Sequence, residues 1–273
     1  MNRNPRRGPR RHDRGNLRPP RPKSNDRSLG GEQVEGRQAV RELLLAQRRR
    51  VREVLLADDS ERNTVVGEIV ELARSQRIPV RQVSRQQIDE DARSEAPQGV
   101  IAFAEPLEEV LLDEVLVSAS KKLFLVAVDG VTDPGNLGAI LRSCEGAGVD
   151  AVILPRHRAV HVTPSAAKAA AGAIEYLNMC VVPGLPTAIQ QLRDNDVWVV
   201  GLDDAADKPI FGLGDLAREH ICLVLGAEGP GLSRLVRERC DLTVSIPMLG
   251  ALSSLNVSAA AALATYEVVR ARR

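Results

Sequence analysis

Three segments of this chain carry side chains that could bind and orient a polar substrate, and each directly follows an apolar run. The first, Asp129–Gly148 (DGVTDPGNLGAILRSCEGAG), turns through Asp133-Pro134-Gly135-Asn136 and enters a helix pattern. In it Asn136 offers an amide that can hold a hydroxyl, and Arg142, six residues on, offers a planar fork for an anion. The same residues also make an ordinary strand–turn–helix connection, since D-P-G-N is favourable turn chemistry and a helical arginine often faces solvent. The second, Leu223–Leu235 (LVLGAEGPGLSRL), is a glycine loop between a strand and a helix. It lacks the Lys-Ser/Thr of a phosphate-binding P-loop. Glu228 in mid-loop repels phosphates, so nucleotide hydrolysis loses support and a cationic or hydroxyl-bearing ligand gains it. The third runs from Ser245 to the end, SIPMLGALSSLNVSAAAALATYEVVRARR. It reads as a strand ending at Ile246-Pro247, a loop of small residues, and a long helix from Ser254 or Leu255, with Ser254 as its cap. Asn256 and Ser258 then fall in the first turn, where free backbone N–H groups face a ligand. A capped amphipathic helix explains most of the segment, but not Ser254 and Asn256 beside an uncharged loop.

These segments need a scaffold that brings them to one place. The runs LFLVAV (123–128), AVIL (151–154), VWVVGL (197–202) and ICLVLG (221–226), separated by helix-like stretches, predict buried, mostly parallel strands of an α/β domain over 121–273. In such sheets the ligand crevice lies beyond the carboxyl ends of the strands. A G-x-G-x-x-A match at Gly212, Gly214 and Ala217 has no adequate strand leading into it and is set aside. Residues 31–105 alternate helix and strand patterns: GRQAVRELLLAQ, VREVLLA, RNTVVGEIVELARSQ, PVRQVS, a short helix near Arg85–Ala92, and GVIAFAE. This predicts a second, smaller α/β unit, joined by a linker at 106–120. Its Arg37, Arg41, Arg48, Arg49, Arg50 and Arg52 form either a phosphate-binding patch or a solvated face, and charge alone does not choose.

The formal net charge of +1 conceals a split. Residues 1–27 hold ten Lys/Arg and two Asp/Glu, a local +8, so the remaining 246 residues sum to −7. Residues 1–30 therefore read as a disordered basic arm, suited either to solubility or to tethering RNA. Aromatics at 2% are too few for base-stacking platforms. Four cysteines without a C-x-x-C pair argue against zinc and against a disulfide framework, and for a reduced, cytoplasmic chain. No apolar stretch follows the basic start as a secretory signal requires. The uncharged run Leu242–Tyr266 is too rich in Ala, Ser, Gly and Pro to span a membrane.

Taken in order, N-x-G-x-x-x-R (Asn136, Gly138, Arg142), L-G-x-E-G-x-G (Leu225, Gly226, Glu228, Gly229, Gly231) and I-P-M-x-G-x-x-x-S-L-N-V-S (Ile246 to Ser258) resemble the three motifs of the SpoU (TrmH-like) branch of the SPOUT RNA methyltransferases. The match covers about residues 121–273, and the third motif is highly specific. Residues 32–105 resemble the ribosomal-protein-like RNA-binding domain that precedes the catalytic domain in the branch methylating large-subunit ribosomal RNA. The resemblance implies a deep trefoil knot, a homodimer, no metal, and 2′-O-ribose methylation with S-adenosylmethionine. It implies cofactor contacts at Leu225, Gly226, Ile246, Met248 and Leu255 and catalytic roles for Asn136, Arg142, Glu228, Ser254 and Asn256; with RNA as substrate, the phosphate-patch reading of the arginine cluster expects RNA contacts at Arg37, Arg41, Arg48, Arg49 and Arg50. Ribosomal RNA is the implied substrate; a tRNA, or an RNA-binding assembly factor without catalysis, are the competing readings.

Overall fold

The computed structural model describes residues 29–59, 63–157 and 162–273. The basic arm falls outside them except for Leu29 and Gly30, which do not behave as an arm. Leu29 is buried in the same core as Phe124 and Leu137, and Gly30 bridges Val162.

Two sheets follow. The first is mixed, with strand order β1-β4-β2-β3. It comprises β1 (Gln33–Glu35), α1 (Arg37–Ala46), β2 (Val51–Ala57), α2 (Thr64–Ser75), β3 (Val80–Val83), α3 (Arg85–Asp91) and β4 (Val100–Ala104). The helices form where spacing predicts: Val40, Leu43 and Leu44 of α1 and Val66, Ile69 and Ala73 of α2 are buried in one cluster. Asn63 caps α2 and Ser84 caps α3. The strand β1 carries no apolar signal, because two of its three side chains are polar and buried. Glu35, fully enclosed, accepts from Gln33 Nε2, the Arg93 and Ser94 amides and Ser94 Oγ, so its carboxylate is solvated by protein.

A short α4 (Leu112–Val117) leads into the second sheet, which is parallel throughout, with order β10-β8-β9-β5-β6-β7. Its elements are β5 (Phe124–Val128), α5 (Pro134–Gly146), β6 (Ala151–Pro155), α6 (Pro164–Ala169), β7 (Asn178–Val182), α7 (Leu185–Asp194), β8 (Trp198–Leu202), β9 (Ile221–Leu225), α8 (Arg234–Arg239), β10 (Leu242–Val244) and α9 (Val257–Arg272). The four apolar runs are the four central strands β8, β9, β5 and β6, buried on both faces as near-continuous apolar sequence requires. From β5 the chain winds outward to β6 and β7, whereas from β9 it winds the other way to β10. Neighbouring β5 and β9 therefore form a switch point, and their departing loops diverge to leave a crevice. Around Gly212 and Gly214 the chain forms two short 3-10 turns and no strand.

The last helix starts later than its sequence indicates. Asn256 is its N-cap and Val257 its first residue, so Ser254 lies in the preceding loop and caps nothing. Likewise β10 ends at Val244, two residues before Ile246. At the far end Arg272 donates to the carbonyls of Ala217, Lys122, Leu123 and Glu219 and stacks 5.3 Å over the Phe124 ring, tying α9 to the start of β5.

Candidate active site

At the switch point three side chains meet, from the first turn of α5, the loop after β9 and the cap of α9. Asn256 Nδ2 donates to Asn136 Oδ1 at 3.0 Å and to Glu228 Oε1 at 2.5 Å. The orientation of this amide is dictated by helix capping: its Oδ1 accepts from Ser258 N at 2.8 Å and Ser258 Oγ at 2.6 Å, which turns the NH₂ group toward the two partners. Asn136 is placed by the α5 cap, where Asp133 Oδ1 accepts from its backbone N at 2.6 Å. Glu228 rides on the loop after β9. That loop folds on itself, with Ala227 and Gly231 exchanging backbone hydrogen bonds, and a Cβ on Gly226 would come within 2.3 Å of the Gly231 carbonyl carbon. Only glycine permits that turn. Gly138 fills the same need one layer down, since a Cβ there would sit 2.4 Å from the Ala166 carbonyl oxygen and push α6 off α5.

Beside this cluster opens a cleft of about 740 Å³, its mouth included. Leu225, Gly226, Ile246, Met248 and Leu255, the expected cofactor contacts, all line it, as do Glu228 and Ser254. Asp203 and Asp204 also line it and escape the sequence reading. They follow β8, so the rule that ligands sit beyond carboxyl ends of strands would have found them. No lysine or arginine lines the cleft among the described residues, whereas three carboxylates do. Asp203 is paired with Arg237 at its rim. Such a site disfavours phosphate and suits a neutral nucleoside or a ligand carrying positive charge.

Arg142 is not part of the cluster. It is exposed on α5 and, among the described residues, has no ion pair or hydrogen bond from its side chain. Six helical positions separate it from Asn136 by about 9 Å along the axis and about 120° around it. Of the arginines expected to contact RNA, most are engaged within the protein. Arg37 binds Gln98, Arg41 binds Glu42 and Glu68, and Arg48 reaches Leu177 O and Asn178. Arg49 is buried in an ion pair with Glu175, its side chain 3% exposed, and cannot contact RNA as the sequence led us to expect. Arg50 is exposed and lines an open cleft with Arg48, Arg52 and Arg77, of which Arg52 is paired with Glu105. Arg77 lies 25 residues beyond Arg52, the end of the apparent cluster, and is brought in by the parallel pairing of β2 and β3. Among the described residues no helix is long and apolar enough to cross a membrane, and no cluster of His, Cys, Asp or Glu could hold a metal.

A family model described as the SpoU rRNA Methylase family matches residues 123–266, and one described as RNA 2′-O ribose methyltransferase substrate binding matches residues 33–110. The 23S rRNA (guanosine-2′-O-)-methyltransferase RlmB of Pseudomonas aeruginosa is 40% identical over 244 residues, covering 88% of this chain and 97% of that protein. Its namesake in Escherichia coli is 37% identical over 243 residues, covering 88% and 99%. Among solved structures, the SpoU methyltransferase AviRb of Streptomyces viridochromogenes in complex with AdoMet superposes with a TM-score of 0.75, at 28% identity over 88% of this chain and 89% of that one. A parallel sheet with its polar cluster at the β5/β9 switch point, and sequence identity of this extent over nearly the whole length of these relatives, have one reading: the chain belongs to the SpoU rRNA methylase family.

Proposed function

We propose that this protein transfers a methyl group from S-adenosylmethionine to the ribose 2′-hydroxyl of one nucleotide in 23S rRNA. The observation that carries the reading is the Asn136–Asn256–Glu228 cluster at the lip of a cleft that is rich in carboxylates and free of basic side chains. The cofactor fits this cleft by chemistry. Its sulfonium and ammonium charges suit Glu228 and Asp204, its apolar parts suit Leu225, Ile246, Met248 and Leu255, and it brings no phosphate for those carboxylates to repel. When bound, it supplies an electrophilic methyl group.

The chain's own residues then do the positioning, which can account for much of a transfer barrier. Glu228 Oε1 is occupied by Asn256, while Oε2 has no partner among the described residues and is free to accept the hydrogen of the ribose hydroxyl. Asn136 and Asn256 fix that carboxylate and the ribose relative to each other, and Ser254 borders the cleft. Arg142 grips the target phosphate and stabilises the developing alkoxide; a guanidinium holds its proton too firmly to act as a free base. Its distance from Asn136 along α5 favours reaching the RNA across the mouth of the site or from a second copy of the chain. A homodimer also suits the exposed Leu249, Leu252, Leu263 and Tyr266 around α9. Passage of the 245–256 segment beside the loop after β9 suits the trefoil knot of the family. In this reading residues 31–105 bind the RNA, with Arg50 and Arg77 on its phosphates, 106–120 link, 121–273 catalyse, and the protein works in the cytoplasm.

Mapping 2′-O-methyl positions in rRNA and tRNA from cells with and without the protein tests this. One 23S mark is expected to vanish. Loss of a tRNA mark instead would move the substrate, and loss of none would overturn the proposal.

A further inference from the structure

The four-stranded and six-stranded units are joined where the chain enters the smaller one, at Gly31, and where it leaves, at Glu105. One guanidinium holds both crossings. Arg49, in the turn between α1 and β2, donates from Nη1 to the carbonyl oxygens of Gly31 and Glu105, at 2.6 Å each. Its other edge forms a fork with Glu175 of the larger unit, Nε to Oε2 at 2.9 Å and Nη2 to Oε1 at 2.6 Å. The two side chains are 3% and 1% exposed. The surrounding contact is close. Gly172 has a φ of +91°, and a Cβ on it would lie 2.3 Å from Glu42 Cβ on α1. Tyr176 donates to Glu42 Oε2 at 2.8 Å, and Lys168 Nζ donates to the carbonyl of Ala96 at 2.8 Å and to that of Glu95.

We infer that Arg49 is a positioning residue for methyl transfer: through Glu175 and the two crossing strands it fixes the smaller unit at one angle on the larger, so that RNA held by the first presents its nucleotide in register with the second. The inference rests on the RNA methylation proposed above. A buried ion pair adds little net stability over an apolar contact of the same shape, so stability is a poor reason for this one. What a fork adds is direction, because its two parallel bonds to Glu175 are lost together if the unit rotates, while the two carbonyl bonds keep the guanidinium aimed. The lever is long. A swing of about 5° over the roughly 30 Å of a small domain moves a bound group by about 2.6 Å. A misplacement of about 1 Å already costs on the order of a hundredfold in rate.

The test compares the wild type with the double variant Arg49→Met/Glu175→Met, which replaces the pair by apolar groups, and with Glu175→Gln, which keeps the shape and both carbonyl bonds. Three quantities are read: kcat/KM on a full 23S rRNA transcript and on a short RNA carrying only the methylated nucleotide and its neighbours; S-adenosylmethionine affinity by calorimetry; and hydrogen exchange in peptides spanning 29–36 and 104–110. For the double variant we expect at least a tenfold loss of kcat/KM on the transcript, changes within twofold on the short RNA and in cofactor affinity, and at least tenfold faster exchange at the crossings. Glu175→Gln should move the same way by less, and decides the matter if the double variant does not fold. Faster exchange with undiminished kcat/KM on the transcript overturns the positioning role, as does an equal loss on both RNAs. Unchanged exchange overturns the lock itself. Should the wild type methylate neither RNA, the functional reading fails while the exchange result still decides whether Arg49 holds the units together.

Discussion

Asn256 does two jobs with opposite ends of one amide, and substitutions can separate them. Asn256→Asp keeps an acceptor for the Ser258 N–H but replaces the NH₂ donor with a second carboxylate oxygen facing Glu228. It should fold with little loss of stability and lose methyl transfer by two orders of magnitude or more, as read by thermal melts and tritiated-methyl incorporation into rRNA. Asn256→Ala should in addition cost about 1 kcal/mol through the lost cap. At Arg142, lysine preserves charge but not the fork. If the proposed grip is bidentate, Arg142→Lys should fall at least tenfold in kcat/KM with unaltered cofactor affinity; near-full turnover would remove that role. A third residue-scale expectation concerns Cys144. Burial pushes its thiol up from 9.0 to about 12. The folded chain thus keeps a proton that the unfolded chain releases, so stability is unaffected below pH 9 and falls as pH climbs from 9 toward 12. Between about pH 8 and pH 10 the wild type should lose on the order of 1 kcal/mol more than Cys144→Ala in urea melts.

Among the elements, those with a strong period were legible and those without one were not. The helices α1 and α2 and the four central strands follow directly from apolar spacing. Three-residue β1 hides behind Gln33, which donates to Asp91 O, and Glu35, which accepts from the Arg93 and Ser94 amides some sixty positions away. At the site, Asn136, Glu228 and Asn256 were found by type and loop context, but the start of α9 was misplaced because Ser254 and Asn256 are equally good caps and only tertiary contacts select between them. Asp203 and Asp204 carry no local signal of their own. The helix α9 is held at both ends, by the Asn256 cap and by the four carbonyls around Arg272. Burial also lowers the Arg272 pKa, although it remains protonated at neutral pH. Arg272→Met should lower the melting temperature by several degrees, consistent with a loss of about 2 kcal/mol for charge-assisted bonds, and reduce activity less than Asn256→Asp does.

For the whole molecule, charge was legible as a sum but misleading until divided. Residues 1–27 carry +8 against −7 for the rest, and within the smaller unit most arginines are consumed by internal partners, Arg49 completely. Which arginines remain for RNA is a tertiary fact, and Arg77 is the clearest case. Deleting residues 1–27 should weaken RNA affinity and flatten its dependence on salt while leaving cofactor affinity unaltered, as measured by filter binding across a salt series. Unchanged affinity at low salt would reduce the arm to a solubilising tail.

Leu29 adds one more consequence. It is buried in the core of the larger unit, with Val162 N donating to its carbonyl at 3.0 Å, before the chain enters the smaller unit; Leu107 N then donates back to Gly30 O at 2.9 Å on the way out. One residue of the larger unit's core thus precedes the smaller unit in sequence. Cutting the chain at residue 105 would strip a hydrophobic plug from what is left, whereas excising 32–104 and splicing Gly31 to Glu105, whose carbonyls already share one donor, would not. The same splice point is where an RNA-binding unit of different specificity could be grafted.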